Sequence, residues 1–253
     1  MSGNMEKEIV RIIYDEVLRL NRPDLFRTPI IAYSSASDER YLDLKEIIGD
    51  WHLNPAQLLP DVKSAISYFV PFTKEVVYEP KNIKDGSPLW AEAYEVINDY
   101  FNHINDALSV YILSQGFSAK TIPATHTYDP KDMKCMWSHR SAAAISEMGT
   151  FGLNRLLITE KGSGGRFCTV LTSALLEPKH DSAKAKCRGL IDGSCGLCHK
   201  ICPVGALSPD GIDMFACNRE LLKNRDIFRE RTALYETDIC GKCISICPYT
   251  YIE

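Results

Sequence analysis

The chain has 253 residues, 45% apolar and 25% charged, with a formal net charge of -4. That composition is ordinary for a globular protein, and the length allows one large domain plus a small one. A slightly acidic chain lacks the broad basic surface that phosphate binding needs, so nucleic acid is not expected as the main partner, although a local basic patch is compatible with the total.

No apolar run approaches the roughly 18 residues of a membrane span. The first residues, MSGNMEKEIV, show no apolar signal core and no twin-Arg pair, so a cytoplasmic location is expected.

Residues 5–20 place Ile9, Ile12, Ile13, Val17 and Leu20 on one helical stripe, closed by Pro23. Residues 29–33 read as a short strand, and 64–70, SAISYFV, as a buried strand ended by Pro71. Between 75 and 88 the chain is mostly polar with Gly86 and Pro88, which predicts an exposed loop. Residues 89–115 form the longest periodic segment, with Leu89, Ala93, Ile97, Phe101, Ile104, Leu108 and Ile112 at helical spacing and Gly116 as its stop. A strand at 117–122, a helix at 138–148 and a tight turn bracketed by Gly149 and Gly152 follow. Strands at 156–159 and 168–172 then flank the glycine-rich turn KGSGG. Alternating helices and strands up to about 178 suggest a layered α/β or α+β domain. Pro178 and the polar stretch KHDSAKAK read as a linker.

The last quarter of the chain carries eight of the 10 cysteines. They fall into two matched runs, Cys187, Cys195, Cys198, Cys202 and Cys217, Cys240, Cys243, Cys247, whose ends read CGLCHKICP and CGKCISICP. This is the ligand signature of a protein with two [4Fe-4S] clusters, in which the last Cys of each run serves the other cluster. Two thiolates at i and i+3 reach two irons of one cubane, and the Cys before Pro203 or Pro248 points elsewhere, because proline stops the helix there. Crossing the ligands gives Cys187, Cys195, Cys198 and Cys247 for one cluster, and Cys202, Cys217, Cys240 and Cys243 for the other. One irregularity stands: the position three residues before Cys195 is Asp192. Either Cys187 completes the first set across a longer loop, or Asp192 or a three-iron cluster takes its place. Zinc is the competing metal, since paired Cys-x-x-Cys units also build four-cysteine zinc sites. It gives no reason for the third Cys followed by Pro in both runs. Disulfides are not expected in a chain without a secretory signal.

With these motifs in hand, the chain resembles the epoxyqueuosine reductase family, which is similar in plan to the reductive dehalogenases. The segments that carry the resemblance are NPAQLLPDVKSAISYFVPF, SHRSAAAISEMGTFGLNRLLIT, GGRFCTVLTSALLEP and the double Cys run, in that order over residues 54–253. The resemblance implies an α+β fold. A nitroreductase-related α/β domain that holds a corrinoid would span 1–180, and a small ferredoxin-like domain with two [4Fe-4S] clusters would span 181–253. It further implies that the clusters feed electrons to cobalt, and that Gly149, Gly152, Asn154 and Thr172 lie close to the corrinoid; turn chemistry and a buried strand explain the same residues equally well.

The chain departs from that family at the proton donor. The epoxide-reducing enzymes carry an Asp six residues before a Glu-Arg pair; the pair falls on His139-Arg140 here and the donor on Met133, with Asp132 adjacent. Their Tyr-x-x-Gly-x-Asp-Tyr-His segment is replaced by GSPLWAEAY, and no helical-repeat extension follows Cys247. Epoxyqueuosine in tRNA is therefore not the expected substrate. The catalytic candidates are Asp132, His139 and Arg140. Cys135, near His126 and His139, is an incidental thiol, a redox thiol or a cofactor ligand. Cys168 reads as a small core residue, and Arg140 as an anion holder or half of an ion pair. His199 reads as a donor to a cluster sulfur, and KGSGG as a strand connector rather than a phosphate cradle.

The expectation is an iron–sulfur oxidoreductase supplied by a ferredoxin or flavodoxin, reducing a small molecule through cobalamin. The alternative is an electron-transfer, corrinoid-reducing or cobamide-binding accessory protein acting on a separate corrinoid protein.

Overall fold

A computed structural model describes residues 2–123, 128–129, 131–178, 183–231 and 237–253. His126 and part of the 179–186 stretch lie outside the described residues. In chain order, the N-terminal two thirds contain α1 (Ser2–Arg19), β1 (Ile30–Ser35), α2 (Arg40–Ile47), α3 (Pro55–Leu58), β2 (Ser64–Pro71), α4 (Lys74–Tyr78), a 3₁₀ turn (Pro80–Asn82), α5 (Pro88–Ser114) and β3 (Ala119–Thr121). Two short strands, β4 (Tyr128–Asp129) and β5 (Lys134–Cys135), precede α6 (His139–Ile145), β6 (Gly149–Phe151), β7 (Leu157–Thr159) and β8 (Gly165–Thr172). Beyond residue 182 come α7 (Arg188–Ile191), α8 (Leu197–Ile201), β9 (Leu207–Ser208), β10 (Gly211–Ile212), α9 (Met214–Arg231) and α10 (Lys242–Ser245).

The largest sheet has the order β1-β2-β8-β3, with every pairing antiparallel. Strand β2 pairs Ser64 with Thr172 and Pro71 with Gly165 along its whole length, and all its residues are buried. Because successive side chains point to opposite faces, a continuous apolar strand requires cover on both sides. Ile66, Tyr68 and Val70 pack with Ile9 and Ile13 of α1 and with Ile97, Phe101, Ile104 and Leu108 of α5. On the other face, Ala65 joins Tyr41 and Leu44 of α2 and Ala142 and Ile145 of α6, while Phe69 stacks on Phe167 at 4.3 Å between ring centroids. The result is a mixed α/β arrangement with an antiparallel sheet between two helical layers. Among the described residues no helix is long and apolar enough to cross a membrane.

Local signals account for the longest helix. The Ser87 hydroxyl accepts the Trp90 N–H at its start, Pro88 occupies the first turn, and Gly116 at φ +82° follows its end. Cys168 is the core residue expected: it is fully buried, and Asn105 Nδ2 lies 3.5 Å from its sulfur.

Residues 75–88 depart from the expected exposed loop. Val76 and Val77 of α4 are fully buried, and the following turn docks on α10. Buried Lys242 donates its Nζ to the carbonyls of Pro80 and Ile83, and the Lys81 N–H bonds the Ser245 hydroxyl at 3.2 Å. Lys81, Asn82 and Lys84 face solvent while the two valines and the capping Ser87 are buried, a pattern too short to register as a period. The KGSGG turn connects strands, as expected, and also holds the segment after Cys247: the N–H groups of Ser163 and Gly164 donate to the carbonyls of Tyr249 and Thr250 at 3.0 and 2.9 Å. A Cβ at Gly164 would sit 2.3 Å from Val77 Cγ1, so glycine is required for that approach.

One buried polar link is testable. The Tyr68 hydroxyl donates to Asn105 Oδ1 at 2.8 Å inside the α5 layer. Asn105→Ala leaves that buried hydroxyl with only the weakly accepting Cys168 sulfur nearby, and chemical denaturation is expected to show a loss of about 1–3 kcal/mol.

Candidate redox site and adjoining cavity

The two cysteine runs fold around short helices. Cys187 caps α7, Cys198 lies in α8, Cys202 closes α8, Cys217 lies in α9 and Cys243 lies in α10. Cys187, Cys195, Cys198 and Cys247 line one small cavity together with Gly152, Leu153 and Asn154. The remaining four lie near one another: burial first, then Cys240 and Cys202, pushes the Cys217 thiol up to about 11, and burial followed by Cys240, Cys217, Cys202 and, from the other set, Cys198 pushes Cys243 up to about 12. Cys247 is pushed up to about 11 by burial and then by Cys187, Cys198 and Cys195. Each run thus places its last cysteine with the other run.

Asp192, the rival of Cys187, does not line that cavity. Its carboxylate accepts the Ser194 N–H at 2.9 Å and lies 3.6 Å from Arg188. N–H groups point at sulfur at both sets, from Leu153 to Cys187 at 3.5 Å and from Ala206 to Cys202 at 3.2 Å. His199 Nε2 is buried with no hydrogen-bond partner. Among the described residues, no three His, Cys, Asp or Glu side chains converge tightly enough to hold a single metal ion.

A much larger cavity, about 1000 Å³, lies beside the second set and includes Cys240 in its wall. Trp90, Tyr94, Trp137 and Phe167 supply apolar surface, and Asp132, Cys135, His139 and Arg140 also line it. The Ser138 hydroxyl accepts the Ser141 N–H at 3.1 Å and starts α6, which carries His139 and Arg140 to the wall. His139 Nε2 donates to the Pro123 carbonyl at 3.1 Å, so its Nδ1 accepts from the Thr169 hydroxyl at 3.0 Å. Burial lowers its pKa to about 4, leaving the ring neutral with both nitrogens engaged. Asp132 is held ionised by the Lys134 ammonium at 2.9 Å, and its pKa is lowered accordingly. Arg140 is exposed to the cavity while protein surrounds its other sides, and that burial lowers its pKa. Cys135 points its thiol at the Trp137 carbonyl, 3.0 Å away.

The four residues that the resemblance places near a corrinoid lie outside the larger cavity. Gly149 opens β6, where a Cβ would sit 2.4 Å from the Ile158 carbonyl oxygen. The tight turn therefore runs through 152–156, closed by the Gly152 N–H to Leu156 O bond at 2.9 Å. Gly152 and Asn154 border the four-cysteine cavity. Thr172 is fully buried, its hydroxyl donating to the Ser118 carbonyl at 2.9 Å. None of the four lines the larger cavity.

Two groups on its wall escaped sequence reasoning. His52 is 1% exposed and stacks on Trp137 at 5.9 Å; neither its ring nitrogens nor Trp137 Nε1 have a partner. Burial lowers the His52 pKa, which the nearby Leu53 backbone offsets in part. Arg155 and Arg166 also line the cavity; both lie in the quoted motifs, but nothing in their spacing marks them.

No family model matches the chain, and no curated protein matches it. Solved structures do. An epoxyqueuosine reductase in complex with an epoxyqueuosine-modified tRNA stem loop aligns with a TM-score of 0.61 at 20% identity, over 99% of this chain and 66% of that one. The epoxyqueuosine reductase from Bacillus subtilis aligns with a TM-score of 0.57 at 20% identity, over 95% and 66%. A catabolic reductive dehalogenase aligns with a TM-score of 0.59 at 14% identity, over 87% and 30%. The fold is that of the epoxyqueuosine reductases and reductive dehalogenases. This chain spans about two thirds of the length of the former and under a third of the latter.

The neutral His139 gives a pH signature. Its pKa falls from 6.5 to about 4 on folding, so between those values the unfolded chain binds the proton that the folded chain refuses. Its contribution is complete above pH 6.5 and is lost as pH falls toward 4. Thermal unfolding of wild type is expected to weaken more steeply over that window than that of His139→Gln.

Proposed function

We propose that the protein is an iron–sulfur oxidoreductase with a corrinoid-binding unit at 1–180 and a ferredoxin-like unit at 181–253. Two [4Fe-4S] clusters, held by Cys187, Cys195, Cys198, Cys247 and by Cys202, Cys217, Cys240, Cys243, relay electrons from a ferredoxin- or flavodoxin-type donor toward a corrinoid in the large cavity. The observation that carries this reading is the position of Cys240 on the wall of that cavity. An electron at the second set has only that wall to cross.

The donor chemistry fits both groups. Sulfur is the ligand iron clusters take, and the N–H groups of Leu153 and Ala206 and the orphaned His199 nitrogen suit cluster sulfurs that need hydrogen bonds. The spread of the cysteines suits a cubane better than one zinc ion, whose ligands close in at about 2.3 Å. The orphaned His52 and Trp137 nitrogens and the aromatic walls suit a large, partly apolar ligand. A bound corrinoid would supply the redox-active cobalt; the chain's own part is to hold it, cover it and bring Cys240 near it. A reductive dehalogenase described through B12-dependent dehalogenation shares the fold at a TM-score of 0.54 and 13% identity, which supports the choice of cofactor.

The substrate under this reading is a small molecule other than tRNA epoxyqueuosine. Met133, at φ +59°, stands where an acid is needed, and neighbouring Asp132 is ionised by Lys134. The same observation favours the second reading, an accessory protein that reduces or binds a cobamide without turning over a substrate.

Anaerobic reconstitution is expected to load about eight iron and eight sulfide per chain, as two cubanes require; a value near four sinks the two-cluster reading. Cys187→Ser is expected to lose about half the iron while keeping the other cluster's spectrum. Gel filtration with cobalamin is expected to bring about one corrinoid per chain into the protein peak, and clusters alone in that peak would point to an electron carrier. Met133→Asp tests the missing donor: continued inability to reduce epoxyqueuosine is the expected result, and a gain of that activity reverses the substrate reading.

A further inference from the structure

Arg140 is linked to the second cysteine set through the backbone next to the large cavity. Arg140 Nη1 donates to the Arg155 carbonyl at 3.0 Å. The preceding residue, Asn154, donates its Nδ2 to the Cys243 carbonyl at 3.1 Å. A single peptide step, 154–155, therefore fastens the guanidinium on one side and the Cys243 backbone on the other. Arg140 and Cys240 share the cavity wall.

This cation has repulsion on its own side and no carboxylate to answer it. Among the described residues Arg140 forms no ion pair, and its hydrogen bond goes to a carbonyl. Arg166, whose guanidinium lies 4.3 Å from the Tyr94 ring, stands on the same wall. Burial and Arg166 both disfavour the charge on Arg140, while the Cys243 and Cys135 thiols favour it. A cation flanked by another cation gains when negative charge arrives nearby. A cubane ligated by four thiolates is negative, and one-electron reduction makes it more so without taking up a proton.

We propose that Arg140 is a positioning residue that serves as countercharge to the cluster of Cys202, Cys217, Cys240 and Cys243 and raises its reduction potential. The proposal rests on the two-cluster reading given above. The electron comes from the external ferredoxin- or flavodoxin-type donor, and the fixed guanidinium stabilises the reduced cluster more than the oxidised one. The other set lines a separate small cavity with Gly152 and Leu153, and a smaller effect is expected there.

The test is a potentiometric titration, followed by electron paramagnetic resonance, of the anaerobically reconstituted full chain. In Arg140→Gln one of the two reduction steps is expected to become about tenfold less favourable, a shift of about 59 mV to lower potential for one electron. The other step is expected to move less. Arg140→Lys, which keeps the charge, is expected to recover most of the shift. Arg140→Met, which keeps the unbranched stem, repeats the measurement if Arg140→Gln loads less iron. Two unmoved steps in the neutral variants overturn the proposal, as does an equal shift of both steps or a failure of Arg140→Lys to recover. Wild type with eight irons and two reduction steps keeps the two-cluster reading standing in each of those cases. Wild type without two reduction steps removes both.

Discussion

The tip of the β6–β7 hairpin is the joint on which the arrangement depends. Within three residues it offers the Leu153 N–H to Cys187, the Asn154 amide to the Cys243 carbonyl and the Arg155 carbonyl to Arg140. One turn thereby reaches both cysteine sets and the wall of the large cavity. The turn is stiff for local reasons. Gly152 is buried against Ile158, Arg155 holds a left-handed φ of +60°, and the Asn154 Oδ1 accepts the Leu156 N–H at 3.3 Å. A left-handed conformation at a non-glycine residue is costly and persists only where surrounding contacts enforce it. Here those contacts are the ones that tie the redox segment to the sheet.

A second seam closes the other side. Lys242, next to Cys243, reaches the carbonyls after α4, and the KGSGG turn receives the chain after Cys247. Gly241 at φ +71° lets that approach happen, since a Cβ there would lie 3.0 Å from Pro80 Cγ. The cysteine loops are thus held by these polar links and by Phe228, Ile239 and Ile244, which pack into the core of the larger sheet. The geometry around the cysteines is set in part by those contacts.

Much of this was legible in the residues and some was not. The stripe from Leu89 to Ile112 and the unbroken run Ala65 to Val70 announced their elements, because their periods are long enough to stand above chance. Proline and spacing suggested the crossed cysteine sets, and Cys247 lines one cavity with Cys187, Cys195 and Cys198; that the sets ligate clusters is a proposal. The 75–88 segment was misread because its burial comes from docking on α10, a contact between residues far apart in sequence. Gly149, Gly152, Asn154 and Thr172 drew attention for a resemblance, yet their places follow from hairpin geometry and sheet register. His52 and Trp137 carry no sequence signal, since an isolated histidine beside an isolated tryptophan has no spacing to read.

The chemistry of the cavity follows from what its polar groups are already doing. His139 spends both ring nitrogens on Pro123 and Thr169 and stays neutral. Asp132 is ionised and so has no proton to give, and an arginine does not deprotonate at working pH. A site that must cleave a bond with protonation needs an acid poised near neutrality, and these three residues supply none. What they supply is a positive charge on the same wall as Cys240 and a histidine that stays neutral. That combination suits the passage of electrons, with any proton drawn from water entering the open cavity or carried by the ligand. Met133, Asp132 and His139 as they stand offer no such acid, which supports the proposed reading of electron delivery.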